Sequence, residues 1–138
     1  CADGTVFDPK LEEAFDIVLL DAPCSALGLL YRKPDIKIHA QKEGMAALVE
    51  IQRALLANAS RYVKKGGILL YSTCTINPAE NRDNALWFLQ SHPQFSADDF
   101  SADIPANVQG SVRDGMLQLL PHTHGVDGFF IARFRRIE

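Results

Sequence analysis

Two rhythms of apolar and polar positions run along the chain. Phe15-Asp16-Ile17-Val18-Leu19-Leu20-Asp21 is an almost unbroken apolar run closed by an acid. Such runs suit a strand of a parallel sheet buried on both faces. From Gly44 to Val63, the residues Met45, Leu48, Ile51, Leu55, Ala59 and Tyr62 recur at helical spacing. Lys64-Lys65 then place positive charge at the predicted helix C-terminus, and Gly66-Gly67 supply a left-handed cap. Ile68-Leu69-Leu70-Tyr71-Ser72-Thr73 reads as a second buried strand. Asn77-Pro78-Ala79-Glu80 has the form of a helix start, with Asn as N-cap, Pro in the first position and Glu answering the cap. That helix is predicted to run to Ser91, before Pro93.

The remaining segments are weaker in pattern. Ala22 to Ala40, rich in Pro, Gly and charge, reads as a long loop with one short helical turn, and loops of that length in a compact domain tend to be functional. Phe95 to Asp114 is polar and acidic, and is expected to be irregular. Met116–Leu120 and Gly128–Arg135 read as two strands joined by a loop containing His122, His124 and Gly125. The order strand, helix, strand, helix, strand, strand predicts an α/β fold whose last pair is an antiparallel hairpin. In open α/β sheets ligands sit outside the carboxyl ends of the strands. Asp21-Ala22-Pro23-Cys24-Ser25 and Ser72-Thr73-Cys74-Thr75 both fall at such ends.

Composition narrows the class. The 138 residues hold one domain, and 47% hydrophobic with 22% charged residues describes an ordinary globular chain. The longest apolar stretches are too short to cross a bilayer, so no membrane partner is expected. Three cysteines without Cys-x-x-Cys spacing favour neither a disulfide scaffold nor a structural zinc site, and point to a reducing cytoplasm. His122 and His124 form a His-x-His pair, but no third ligand stands at a sensible spacing, so no metal is expected. A net charge of −3 is not the footprint of a nucleic-acid binder. Two local basic clusters run against it: Arg32, Lys33, Lys37, His39 and Lys42 in one stretch, and Arg133, Arg135 and Arg136 near the end. A charge cluster is most often a solvated face. Likewise, a cysteine after a strand is most often a small core residue. Phe129, Phe130 and Trp87 read as packing.

The two cysteine segments change that balance together. With Asn77-Pro78-Ala79-Glu80-Asn81 they resemble the paired signature of the RNA (cytosine-5) methyltransferases, and among these the bacterial Sun/RsmB-type enzymes of 16S ribosomal RNA. Arg32-Lys33-Pro34-Asp35-Ile36-Lys37, Lys65-Gly66-Gly67 and Asp127-Gly128-Phe129-Phe130 add to the likeness, which covers nearly the whole chain apart from Phe95–Asp114. The resemblance implies a Rossmann-like fold that uses S-adenosylmethionine. The chain would form its C-terminal half, a mixed sheet ending in the hairpin. It also implies an RNA partner, ribosomal before transfer RNA; a non-catalytic RNA-binding module of the same fold is the other reading.

The chemistry explains why such an enzyme wants two thiols. Carbon 5 of cytosine is a poor nucleophile until a thiolate adds to carbon 6, and afterwards the carbon-5 proton must leave and the thiol be expelled. The resemblance assigns the covalent bond to Cys74 and assistance in its release to Cys24. In the DNA enzymes of this chemistry it is the Pro-Cys cysteine that attacks, which would invert the roles. Asp21 is carried over as a cofactor and substrate contact, Asp3 as a cofactor contact near the adenine. Arg32 and Lys37 are phosphate candidates. A whole enzyme of this kind also needs a Gly-rich turn after its first strand. None occurs here, so the chain is expected to be a partial catalytic domain that binds the cofactor poorly alone and exposes an unpaired sheet edge prone to self-association.

Overall fold

The computed structural model describes residues 1–36 and 42–138. Five strands form one mixed sheet: β1 (Phe15–Asp21), β2 (Val63–Thr73), β3 (Phe95–Ala97), β4 (Met116–Leu119) and β5 (Phe129–Arg136). The order across the sheet is β1-β2-β5-β3, with β4 also paired to β5. β1 and β2 run parallel, and β5 runs antiparallel to β2, β3 and β4. The expected mixed sheet and its antiparallel last pair are both present. Two long helices, α1 (Lys42–Tyr62) and α2 (Arg82–Ser91), accompany it. Short helical turns cover Pro9–Leu11, Leu27–Leu29 and Ser101–Asp103, with one-turn helices α3 (Ala106–Gln109) and α4 (Pro121–His124).

Strand alternation sorts the core onto two faces. Leu69, Tyr71, Ala132 and Phe134 point to one side, where they bury with Leu56, Ala59, Ala85 and Phe88 of the helices, and Val18 and Leu20 pack against them. Phe88 is the hub, its ring 4.7 Å from that of Phe134 and 5.2 Å from that of Phe95. On the opposite face Phe100, Val112 and Leu117 gather over Ile131. That cover does not extend to β1, whose Ile17 and Leu19 stay 66% and 65% exposed on an edge strand.

The structure departs from the sequence pattern in three places. Lys64-Lys65 and Gly66-Gly67 do not end α1, because the chain turns straight into β2 at Val63. They form an irregularity in that strand: Phe15 faces Val63 while Ile17 faces Ile68. Gly66 takes φ +79 there, and a Cβ on Gly67 would lie 2.8 Å from the Asp16 carbonyl. The same residues that cap a helix also permit a bulge, since both need positive φ or close backbone approach. Asn77 is not the N-cap of α2, which starts at Arg82 after Asn81. Asn77 instead closes a local turn, its Oδ1 accepting from Ala79 N at 3.2 Å. Finally, the segment expected to be irregular carries β3, a 3-10 turn and α3. Its ordering comes from pairing with β5 and from ion pairs of Arg133 and Arg135 with Asp98, at 2.7 and 3.1 Å, which local pattern does not reveal.

Candidate active site

Because β1 and β2 are parallel, their carboxyl ends open on the same rim. Asp21 ends β1 opposite Ser72 of β2, and the two cysteine loops leave from there side by side. Ala22 N still donates to the Ser72 carbonyl at 2.9 Å, so the first loop departs tied to the second strand. The result brings Cys24 Sγ within 3.2 Å of Cys74 Sγ, both half-buried and both free thiols. Burial, with the neighbouring Cys74 sulfur, pushes the Cys24 thiol up to about 12. Asp21 stays exposed at the end of β1, its Oδ1 accepting from Ser72 Oγ at 2.9 Å.

The loops are locked by groups that read as structural in the sequence. Gly28 N donates to the Cys74 carbonyl at 3.1 Å, and Gly128 N donates to the Gly28 carbonyl at 2.9 Å. A Cβ on Gly28 would sit 2.0 Å from the Gly128 carbonyl oxygen, so only glycine permits this backbone-to-backbone docking. Ser25 Oγ lies 2.8 Å from Thr75 Oγ1, linking the residues that follow the two cysteines. Asn81 holds the base of the second loop, donating to the Thr75 carbonyl at 2.9 Å and accepting from Thr73 Oγ1 at 2.6 Å. Glu80, expected to answer a helix cap, turns inward instead and is completely buried. The motif was legible, but its direction was not, because a capping box and an inward carboxylate share the same spacing.

Asp3 and Arg32, the other described candidates, have side chains bonded to residues other than the thiols. Asp3 is exposed and caps its own turn, accepting from Thr5 N at 2.9 Å and Thr5 Oγ1 at 2.7 Å. These bonds, the hydroxyl's first, hold its carboxyl below the ordinary value. Its neighbour Gly4 is held by Asn58 of α1, six residues beyond Gln52, which touches the site, so roughly 9 Å along the helix axis. Arg32 is exposed, with Nε 3.1 Å from Asp127. Lys37 and His39 lie outside the described residues. The C-terminal arginines are committed to structure: Arg133 to Asp98 and Asp103, Arg135 to Asp98 and the Gly66 carbonyl, Arg136 to Glu13 and the Val63 carbonyl. His124 Nδ1 accepts from Leu120 N at 3.0 Å, a turn-closing role.

Two thiols in contact therefore follow the carboxyl ends of two parallel strands, one of which ends on an acid. The family described as 16S rRNA methyltransferase RsmB/F matches residues 1–135. The chain belongs to that family. The probable ribosomal RNA small subunit methyltransferase B of Bacillus subtilis is 46% identical over 125 residues, 90% of this chain and 28% of the relative. Among solved structures, PH0851 matches with a TM-score of 0.81 and 36% identity, covering 91% of this chain and 27% of the other. NSun6 from Pyrococcus horikoshii, solved with SFG, matches with a TM-score of 0.75 and 30% identity, over 99% of this chain and 34% of the other. The RsmB/F chain thus spans under a third of the length of the curated relative. Its mixed sheet has the fold of these structural neighbours.

Proposed function

We propose that the protein carrying this chain methylates carbon 5 of cytosine in RNA, 16S ribosomal RNA before others, through a covalent bond between Cys74 and the base. The observation that carries the reading is the pair of sulfurs 3.2 Å apart on the rim where β1 ends at Asp21. Cys74 thiolate adds to carbon 6, forming an S–C bond and turning carbon 5 into a nucleophile. S-adenosylmethionine, when bound, supplies the electrophilic methyl group that carbon 5 takes up. Cys24, kept as a thiol by burial and its neighbour, donates its proton to the departing Cys74 sulfur. The Cys24 thiolate so formed takes the proton from carbon 5 as the C–S bond breaks, which restores the ring and the Cys24 thiol. Cys74 leaves as a thiol and returns to thiolate by giving one proton to solvent, the proton that methylation releases.

The residues present fit the cofactor in part. Asp21 offers an exposed carboxylate at the end of β1, suited to the positive methionine end of the cofactor or to the amino edge of the base. Asp3, in the N-terminal turn that Asn58 of α1 holds and with its carboxyl kept low by Thr5, suits the adenosine end. NSun6, solved with the S-adenosylmethionine analogue SFG, supports the same cofactor class here. Arg32 is assigned a phosphate contact, which its exposure permits once Asp127 releases it. Free thiols of this kind belong in a reducing, cytoplasmic setting; among the described residues no helix is long and apolar enough to cross a membrane.

The test uses the longest natural form of the protein, labelled cofactor and RNA. Cys74→Ala is expected to abolish transfer, and Cys24→Ala to accumulate a protein–RNA adduct that survives denaturation. An adduct that forms in Cys74→Ala and needs Cys24 would reverse the roles; transfer by a variant lacking both thiols would end the covalent reading.

A further inference from the structure

Glu80 is a fully buried carboxylate whose two oxygens each face two donors. Oε2 accepts from Ser25 N and Gln52 Nε2, both at 2.9 Å. Oε1 accepts from Ser25 Oγ at 2.5 Å and Asn77 Nδ2 at 2.9 Å. Ser25 directly follows Cys24, and Asn77 closes the turn that follows Cys74, so donors of both cysteine loops end on one side chain. Gln52 completes the bracket around Cys24. Its Nε2 also donates to the Pro23 carbonyl at 2.8 Å, and its Oε1 is held by Asn84 Nδ2 at 2.8 Å. The main chain of Glu80 is fixed as well, its carbonyl accepting from the buried Tyr71 hydroxyl at 2.6 Å.

A buried carboxylate needs a cation or several donors around it, because removing a charge from water is costly otherwise. Here four neutral donors do the work, and three of them come from the residues that shape the two loops. We propose that Glu80 is the positioning residue that sets the separation of Cys24 and Cys74, acting through Ser25 and Asn77 without touching substrate. The inference rests on the covalent reading of the thiol pair. Glutamate fits and its relatives do not. Aspartate is one methylene short of Ser25. In Glu80→Gln one oxygen becomes an NH₂ that faces two donors. The Ser25 hydroxyl can rotate to accept, but the Asn77 amide cannot turn without giving up Ala79 N, which its Oδ1 holds.

The experiment compares Glu80→Gln with the parent in steady-state turnover, and Glu80→Gln/Cys24→Ala with Cys24→Ala in the rate of adduct formation. A displacement of the thiols on the order of 1 Å lowers kcat about 100-fold. The KM for RNA and the cofactor is expected to stay within about threefold, since neither ligand meets Glu80. The adduct should form more slowly in the double variant by a similar factor. Retained kcat with only a lowered Tm, or a loss confined to KM, would overturn the proposal. Should Glu80→Gln fail to fold, Ser25→Ala decides. It keeps the backbone bond to Glu80 and removes the hydroxyl that also meets Thr75, so kcat should fall about tenfold; an unchanged kcat overturns the inference. If neither Cys24→Ala nor Cys74→Ala yields an adduct, the covalent reading fails and takes the inference with it. If that adduct forms equally fast with and without Glu80, the inference alone fails.

Discussion

At the scale of single residues, Cys24 makes a prediction that needs no substrate. Its thiol ionises near 9.0 in an unfolded chain and is pushed up to about 12 in the folded one, chiefly by burial and then by Cys74. Between those values the unfolded chain has lost a proton that the folded chain still holds, so stability must fall as pH rises through that window. Below it the group contributes no slope. Urea midpoints measured from neutral pH upward should therefore decline less steeply for Cys24→Ala than for the parent; equal slopes would contradict the burial of this thiol. Tyr71, whose hydroxyl burial also pushes up, adds a decline common to both proteins. At this scale much of the site was legible. Cys24, Cys74 and Asp21 stood out because strand ends carry chemistry in such sheets. The partners that set their geometry did not, because Ser25, Gln52 and Glu80 become a unit only once two loops and a helix converge.

At the scale of elements, the sequence told strands and helices from loops wherever burial imposed a period, and misplaced their ends wherever two structures share one signal. Gly66 shows this. Its φ of +79 is what a helix cap would need, yet it serves a bulge in β2 with open space around the missing Cβ. Gly66→Ala should thus cost only the backbone strain, about 1 kcal/mol in urea unfolding, without repacking. Phe88 of α2 lies at the opposite extreme. It meets Phe95, Phe134 and the His92 ring, the last at 4.4 Å in a stacked pair. Phe88→Ala should cost roughly 3–5 kcal/mol by the same measurement, since the hole opens where helix and sheet meet. A cost close to that of Gly66→Ala would mean that the core closes over the gap.

At the scale of the whole molecule, the 138 residues leave one side of the sheet bare at β1. Phe15, Ile17 and Leu19 stay exposed on alternate positions of an edge strand, a surface that invites pairing. The isolated chain is expected to self-associate in analytical ultracentrifugation, and Ile17→Lys with Leu19→Lys to return it to monomer. It should also bind S-adenosylmethionine weakly by calorimetry, because Asp21 and Asp3, the two acids proposed for its ends, have no glycine-rich turn between them. Micromolar affinity would show that the acids suffice.

The strand order carries a further consequence. Of the five described strands β5 comes last in chain order, yet it lies in the interior of the sheet, zipped to β2 on one side and to β3 and β4 on the other. Until it arrives, Gly128 cannot press on Gly28, and the first thiol-bearing loop lacks its outer clamp. β1 and β2 can pair without β5, but β3 and β4 have no other strand partner among the described residues and must wait for it. The described sheet is therefore completed in one closing step rather than accumulated strand by strand.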